Sequence, residues 1–494
     1  MKDVIKIHEE DSVVVSLRDI KKGEFIDLAG EKTEISDNIP FGHKIAAKNI
    51  LIGQDIIKYG HSIGHSTENI CRGQHVHTHN MASNLAGIDE YKYEPEKSHG
   101  TEEKPDYFMG FVREDGKVGI RNEIWIIPTV GCVNGVAETI KEKCSSVESE
   151  KVDRICVFTH QFGCSQLGED HLMTQKAICG LVGNPNAAGV LIIGLGCENN
   201  QIESLKEQLG DYDSNRVEFM VCQEEEDEIE TGIGIVKKLA EKASHYKRSK
   251  VPTSKLIVGL KCGGSDGFSG ITANPLLGKF TDKLTAQGGT AILTEVPEMF
   301  GAETILMNRC INEKLFKKTV DLINDFKSYF IRYGEKINEN PSPGNKEGGI
   351  STLEEKSLGC IQKGGSAPVT GVLKYGEKVE TTGLSLLQSP GNDLVATTAL
   401  AISGAQLVLF TTGRGTPFGG PVPTVKIATQ EHIAEKKKNW IDFSAGTLLK
   451  GETMEELSDS FYSYVLEVAS GKTLVNSEKY CKREIAIFKD GVTL

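Results

Sequence analysis

Apolar positions follow two different rhythms along this chain. Over residues 1–88 they come in short β-branched groups broken by turns. Ser12–Leu17 reads SVVVSL, Gly23 and Gly30 punctuate the stretch after it, and Ile56–Tyr59 and His75–His79 are short extended candidates. This predicts a small all-β unit. Asp89–Asp106 then runs DEYKYEPEKSHGTEEKPD, charged and nearly free of aliphatics, which predicts a linker over 89–108. Beyond it, near-continuous apolar stretches alternate with amphipathic ones. Strands are predicted over Glu123–Val130, Asp153–Thr159, Gly189–Gly194, Val217–Cys222, Lys255–Leu260, Thr290–Leu293 and Gln406–Phe410. Helices are predicted over Val136–Lys143, Glu226–Ser244 and within Cys310–Ile337. Such alternation implies an α/β region whose mostly parallel sheets are covered on both faces. A basic segment, Tyr246–Ser254, precedes a new strand. The expected division is therefore 1–88, a linker 89–108, a first α/β domain 109–250 and a second 251–494.

Composition narrows the class. The 494 residues are 38% hydrophobic and 25% charged, ordinary for a soluble globular protein of several domains. With 56 Lys plus Arg against 69 Asp plus Glu, the net charge is −13, which argues against binding nucleic acid through its phosphates. No apolar run approaches the ~18–20 residues of a membrane span. The start lacks a basic segment followed by a long apolar one, so a cytoplasmic location is expected. The surplus lies elsewhere: 53 Gly, 12 Cys and 12 His, with only 6% aromatics. Without a secretion signal, those cysteines read as reduced thiols, some of them candidate ligands.

Four predicted strands end in a Gly/Cys turn, at Cys132, Cys164, Cys197 and Cys262. In open α/β sheets the carboxyl ends of strands form the ligand crevice, and glycine there lets backbone approach a ligand. The plainer alternative is a small apolar residue under a turn, the usual state of a free Cys. The other eight cysteines, Cys360 and Cys222 among them, take that plainer reading. No CxxC pair suggests structural zinc. His75-Val-His77-Thr-His79 predicts three imidazoles on one face of a strand, near enough to share a metal, with His43, His61 and His65 in the same unit. Glu295 and Glu298 follow the strand Thr290–Leu293, where a carboxylate can bind a cation or act as a base. Asn340–Gly349 (NPSPGNKEGG) reads as a shaped polar loop, and Arg414, between two glycines, suits bidentate capture of a carboxylate. A phosphate-binding GxxxxGK[ST] is absent, and Gly194-x-Gly196 is too short for a dinucleotide fingerprint.

Taken together, GHK at 42–44, HVHTHN at 75–80, TVGCVNG at 129–135, IGLGCENN at 193–200, KCGGSDGFSGITANP at 261–275, TEVPEMFGAE at 294–303, NPSPGNKEGG at 340–349 and FTTGRGTPFGG at 410–420 resemble the altronate/galactarate dehydratase family. The match extends to the final IFKDGVTL, and HVHTHN with PGND at 390–393 fits the altronate branch better than the galactarate branch. The resemblance implies an N-terminal SAF-like β-clip module and a C-terminal α/β catalytic region. It also implies a cytosolic enzyme of hexuronate catabolism that depends on Fe²⁺, with Mn²⁺ as a substitute. The implied reaction converts D-altronate to 2-dehydro-3-deoxy-D-gluconate and water.

That reaction gives the motifs a use. The C2 proton lies α to a carboxylate and is poorly acidic, so its removal needs a base and electrostatic stabilisation of the enediolate, which a divalent metal supplies. The C3 hydroxyl then leaves with a proton from a general acid. His160 is the expected base or acid, with Glu295 or Lys261 as counterpart. Lys44, Lys346 and Arg414 are expected to grip the carboxylate, and Asn199, Ser265 and Asn345 to read hydroxyls. His75 and His77 are the candidate imidazole ligands; an iron–sulfur cluster on Cys132, Cys164 and Cys262 is the alternative. Other readings are a dehydratase of galactarate or another sugar acid, and a non-catalytic sugar-acid-binding protein. The expected partner is the small-molecule sugar acid, with no nucleic acid and no membrane, in a symmetric homo-oligomer.

Overall fold

Strand periodicity shapes the N-terminal unit of this computed structural model, which describes residues 2–28, 30–96 and 103–490; residues 97–102 of the expected linker lie outside the described residues. Strands β1 (Val4–Ile5), β2 (Val13–Ser16), β5 (Lys44–Ala46) and β8 (His75–Val76) form one antiparallel sheet in the order β1-β2-β5-β8. β3 (Phe25–Leu28) and β4 (Glu31–Glu34) form a hairpin, and β6 (Asp55–Lys58), β7 (His61–Ser66) and β9 (Met81–Ala82) a third small sheet. Ile26 and Leu28 alternate inward along β3 and join Val14, Ile35 and Ile45 in a private core. Val13, Ile56, Ile63, Ile70 and Val76 instead belong to the large core of the α/β region. The module is therefore wedged into its neighbour.

One local expectation is corrected here. Only His75 and Val76 are extended, and residues 77–80 turn instead of continuing a strand. The cause is Asn80, whose Oδ1 accepts the His77 N–H at 3.0 Å while its Nδ2 donates to the His75 carbonyl at 2.9 Å. Asn closes such turns readily because its side chain mimics a backbone amide.

The rest is α/β. β12 (Glu123–Pro128), β13 (Ile155–Val157), β14 (Ala187–Gly194) and β15 (Val217–Val221) form a parallel sheet in the order β13-β12-β14-β15. β10 (Tyr107–Val112) is flanked antiparallel by β11 (Val118–Gly119) and β16 (Arg248–Pro252), so the basic segment near 250 is itself a strand. A seven-stranded parallel sheet comes next. It is built from β17 (Ile257–Cys262), β18 (Thr290–Leu293), β19 (Val369–Leu373), β20 (Gly383–Leu387), β21 (Leu407–Thr412), β22 (Thr424–Ala428) and β23 (Phe443–Ser444), in the order β19-β20-β18-β17-β21-β22-β23. The chain runs outward from β17 through β18 on one side and later returns to β21 on the other. The carboxyl end of β17 is thus a topological switch point, the usual place for a crevice.

The predicted helices appear at Asn134–Lys143, Glu228–Ala243 and Glu313–Arg332, the last two capped by Asp227 and Asn312 side chains accepting first-turn N–H groups. Helices the periodicity missed include Gly168–Val182 and Asp393–Ile402; the latter, DLVATTALAI, is apolar on nearly every side and so has no stripe to read. Residues 89–96 do not run free: Asp89 pairs with Lys327 at 2.7 Å, Tyr91 donates to Glu303 at 2.6 Å and Tyr93 to the Cys310 carbonyl at 2.6 Å. No helix among the described residues is long and apolar enough to cross a membrane.

Candidate active site

At the switch point, β17 ends in Lys261 and Cys262, both buried. Lys261 Nζ ion-pairs with Glu295, lies 3.0 Å from Asp393 Oδ1, and donates to the Cys262 carbonyl at 2.6 Å and the Gly391 carbonyl at 3.2 Å. Glu295, just past β18, holds a left-handed backbone at φ 70°. Its Oε2 accepts from Lys363 Nζ at 2.8 Å and from the Cys262 N–H at 3.0 Å. Lys363 also reaches Cys262 Sγ at 3.0 Å. Cys262 Sγ, Cys360 Sγ and Glu298 Oε2 sit within 3.0–3.2 Å of one another, and Lys356 Nζ lies 2.9 Å from Glu298 Oε1.

Three ammonium groups therefore face three carboxylates, of which Glu295 and Glu298 are buried and Asp393 is 32% exposed. Burial raises the Glu298 carboxyl, but Lys356, Lys261 and Lys363 outweigh it and hold the group well below the usual carboxylate range. Burial alone would lower Lys356 and Lys363; the facing Glu298 charge on Lys356, and Cys262 with Glu295 on Lys363, keep both raised and charged. The Cys262 hydrogen bond and burial push the Cys360 thiol far up.

A polar cavity of about 560 Å³ opens beside this cluster, walled by Cys262, Glu298, Asn345, Lys346, Lys356 and Asp393. Gly263 is needed in its wall, since a Cβ there would meet Asp393 Oδ1 and Phe410 Cζ at 2.6 Å. The far wall is the 340–349 segment, expected as a loop. It instead contains a short helix, Pro343–Glu347, because Ser342 and Asn345 close a capping box. Asn345 is spent in that box and on the Ser265 carbonyl, to which its Nδ2 donates at 2.8 Å. Ser265 Oγ, by contrast, is buried with no hydrogen-bond partner in the structure. Lys346 makes no ion pair among the described residues, whereas Arg414, at the rim, holds Glu347 at 2.9 Å.

On the other side of the same segment lie the histidines. His43 Nε2 is 3.1 Å from the Glu347 carbonyl and its Nδ1 is 3.0 Å from His75 Nε2; His77 Nδ1 is 2.7 Å from Ser351 Oγ. The rings of His43, His75 and His77 stand 4.9–5.5 Å apart between centroids, and His79 lies beyond, tilted, at 5.3 Å from His75. Burial lowers all three, His75 to about 4 and His77 to about 3, with neighbouring imidazoles and Lys44 adding to the effect, so they are neutral at ordinary pH. Lys44 is not available to a substrate. Its ammonium is buried against Glu355 Oε2 at 2.8 Å, the Gly349 carbonyl at 2.7 Å and Ser351 Oγ at 2.8 Å.

The remaining expected residues lie elsewhere, at the ends of the four-stranded sheet. His160 is buried with Nε2 2.8 Å from the Pro128 carbonyl and Nδ1 accepting the Phe162 N–H at 3.2 Å, so both ring nitrogens serve the local turn. It does not meet Glu295 or Lys261. Asn199 Oδ1 accepts the Ser165 N–H at 2.7 Å, and Cys132 and Cys164 are exposed near it, on a different sheet from Cys262. The expected trio of Cys132, Cys164 and Cys262 is thus divided between two sheets. Lys356, Cys360, Lys363 and Asp393 were missed, and Glu298, expected only as a strand-end carboxylate, was not joined to them. The available signal was Lys356, Cys360 and Lys363 at helical spacing; the helix Leu353–Cys360, which carries the first two, is buried at every residue despite three charges.

Comparison with known proteins agrees along the whole length. Residues 2–84 match the altronate/galactarate dehydratase SAF domain, 110–244 the D-galactarate dehydratase/altronate hydrolase second domain, and 253–493 the D-galactarate/altronate dehydratase C-terminal domain. The chain is 54% identical to an altronate dehydratase of Bacillus subtilis (strain 168), covering 100% of both chains, and 50% identical to one of Escherichia coli (strain K12), covering 99% of both. A galactarate dehydratase (L-threo-forming) of Escherichia coli (strain K12) is 32% identical over 98% of this chain and 96% of its own.

Proposed function

The chain belongs to the altronate/galactarate dehydratase family, and on that premise we propose how its residues carry out the reaction. The protein is a hydro-lyase of hexuronate catabolism, and its reaction is the dehydration of D-altronate to 2-dehydro-3-deoxy-D-gluconate. A single observation carries the site: Glu298 and Lys356, 2.9 Å apart, share the wall of the polar cavity. An ionised carboxylate beside a charged ammonium is a base and an acid placed for adjacent carbons. In this reading Glu298 takes the C2 proton, the C2=C3 bond forms as the C3–O bond breaks, and Lys356 protonates the departing hydroxyl to water. The enol then tautomerises to the 2-keto acid, and the proton returns from Glu298 to Lys356. Lys346 receives the substrate carboxylate, helped by Arg414, whose pair with exposed Glu347 is weak enough to exchange. The unpartnered Ser265 hydroxyl binds a sugar hydroxyl. Lys261, Glu295 and Lys363 touch no solvent; they fix Cys262 and Asp393 in place.

Dehydration of this kind is metal-assisted, and the residues present offer two donor sets. Cys262, Glu298 and Cys360 place their ligand atoms within 4.8 Å of one another. Two ammonium groups already compensate that set, at 2.9 Å on Glu298 and 3.0 Å on Cys262, which disfavours a dication. His43, His75 and His77 are the second set, although their ring nitrogens do not all lie within 4.8 Å of one another as the ligand atoms of the first set do. They are neutral, and His43 and His77 each present one nitrogen to the cluster while the other is held by Glu347 or Ser351, as metal-bound imidazoles usually are. We propose that the ion is Fe²⁺, with Mn²⁺ as substitute, and that His43, His75 and His77 hold it by drawing their rings closer than the 4.9–5.5 Å between centroids seen here. An ion held there would supply Lewis-acid chemistry, with the 340–349 segment between it and the Glu298–Lys356 cavity.

Incubating the metal-loaded protein with D-altronate and with galactarate, and assaying the 2-keto-3-deoxy product, tests the substrate. Turnover of galactarate alone would overturn the assignment. Chelation should abolish activity and Fe²⁺ restore it; indifference to chelator would sink the metal role. A cytoplasmic homo-oligomer completes the reading, with light scattering after size exclusion as its check.

A further inference from the structure

Free cysteine is among the most buried of residues, yet Cys132, Cys164 and Cys197 are all exposed. They stand on the turns after three adjacent parallel strands, β13, β12 and β14, with the Cys132 turn in the middle. Those turns are bound into one crown. The Gly131 N–H donates to the Phe162 carbonyl at 3.0 Å, the Asn200 N–H to the Gly163 carbonyl at 3.0 Å, and Asn134 Nδ2 to the His160 carbonyl at 2.8 Å. Gly163 has φ 100° and packs so closely that a Cβ would lie 2.1 Å from the Thr129 carbonyl; Gly196 has φ 125° and Ser165 φ 57°. Each outer cysteine is thus flanked by positive-φ backbone, which glycine supplies freely at 163 and 196 and Ser165 adopts only at a cost. Beneath the crown Asn200 is fully buried, donates to the Thr129 carbonyl at 2.9 Å, and leaves its Oδ1 without a partner. Gln223 Nε2 approaches Cys197 Sγ at 3.6 Å.

We propose that Cys132, Cys164 and Cys197 form a three-thiolate site for an iron–sulfur cluster in which one iron has no protein ligand. Thiolates at three points of a rigid glycine-rich crown are the donors such clusters take. A single ion fits less well. Among the described residues only Cys262, Glu298 and Cys360 bring three ligand atoms within 4.8 Å of one another. The crown sulfurs therefore stand wider than the ~3.8 Å separation that tetrahedral Zn–S bonds of ~2.3 Å impose. An iron without a protein ligand would accept an oxygen of a hydroxy acid or water. The site is distinct from the histidine cluster and the Glu298–Lys356 cavity, so it can fail while the dehydratase reading stands.

The test is spectroscopic and needs no turnover. The full chain is produced and purified without oxygen, and its iron, acid-labile sulfide, visible absorbance and electron paramagnetic resonance after dithionite reduction are measured. Expected are iron and sulfide in near-equal amounts with the broad visible band of a cluster. C132S, C164S and C197S should each lose that band and the sulfide while keeping the native circular dichroism spectrum, and C481S, altering an exposed cysteine elsewhere, should keep both. Anaerobic reconstitution with iron and sulfide covers the case of loss during purification. Absence of sulfide after reconstitution, or a band that survives the triple substitution, would overturn the proposal.

Discussion

Glu295 shows how much the site asks of single residues. A non-glycine in the left-handed region costs on the order of 1–3 kcal/mol and persists only where the surroundings over-determine it; here Lys261, Lys363 and the Cys262 amide do so. Glu298, one turn on, is the group that faces the cavity. Replacing Glu298 with Gln keeps its shape and removes the base, so kcat should fall by roughly 10²–10⁴-fold. Lys356→Met should lose kcat comparably, and the double variant should be little worse than either single one if the two act as a pair. Additive losses in steady-state kinetics would refute the pairing. Lys346→Ala, by contrast, should act mainly on KM.

The helix Leu353–Cys360 joins module to cavity. Glu354 accepts from Ser83 Oγ at 2.9 Å, Glu355 is clasped between Lys44 and Lys58 at 2.8 and 2.7 Å, and Lys356 turns to Glu298. Removing one member of such a buried triad strands a charge, so Lys58→Met should destabilise by about 3–5 kcal/mol in urea unfolding. Burial would raise Glu355, but the two lysines win and hold it at about 2 against an ordinary 4.5. A depressed carboxylate stabilises the fold above its unfolded pKa and loses that contribution as pH falls through the folded one. The stability gap between the native chain and Glu355→Gln should therefore be full at pH 6 and close between about 4.5 and about 2. A gap independent of pH would contradict the clasp.

At the scale of the molecule, the β module is a structural part of the catalytic region. Ile56, Ile63, Ile70 and Val76 lie in the shared core, so a chain lacking residues 2–84 should expose that face and fail to unfold cooperatively on heating. The same docking brings the histidines to the 340–349 segment. His75→Ala and His77→Ala should each lose by elemental analysis the iron or manganese bound outside the cysteine crown, while keeping acid-labile sulfide and the circular dichroism spectrum unchanged. A net charge of −13 repels an anionic substrate, so in the proposed reading capture falls to the few local cations, Lys346 and Arg414 foremost.

Strand rhythm, the capped helices and the Gly/Cys turns were legible because they depend on neighbours a few residues away, and the extended family resemblance was legible for the same reason. Helix Asp393–Ile402 was not, because an element buried all round carries no amphipathic stripe. The site divided along the same line. Lys261, Cys262 and Glu295 announced themselves at strand ends, but nothing local pairs Lys356 with Glu298, or Lys44 with Glu355 some 311 residues away. Sequence alone determined which residues could ionise, ligate or turn the chain. Tertiary structure decided which of them meet, because packing distant segments together sets both the distances and the desolvation that give buried charges their partners, and so tied His160 and Lys44 to partners away from the cavity while placing Cys360 against Cys262 and Glu298.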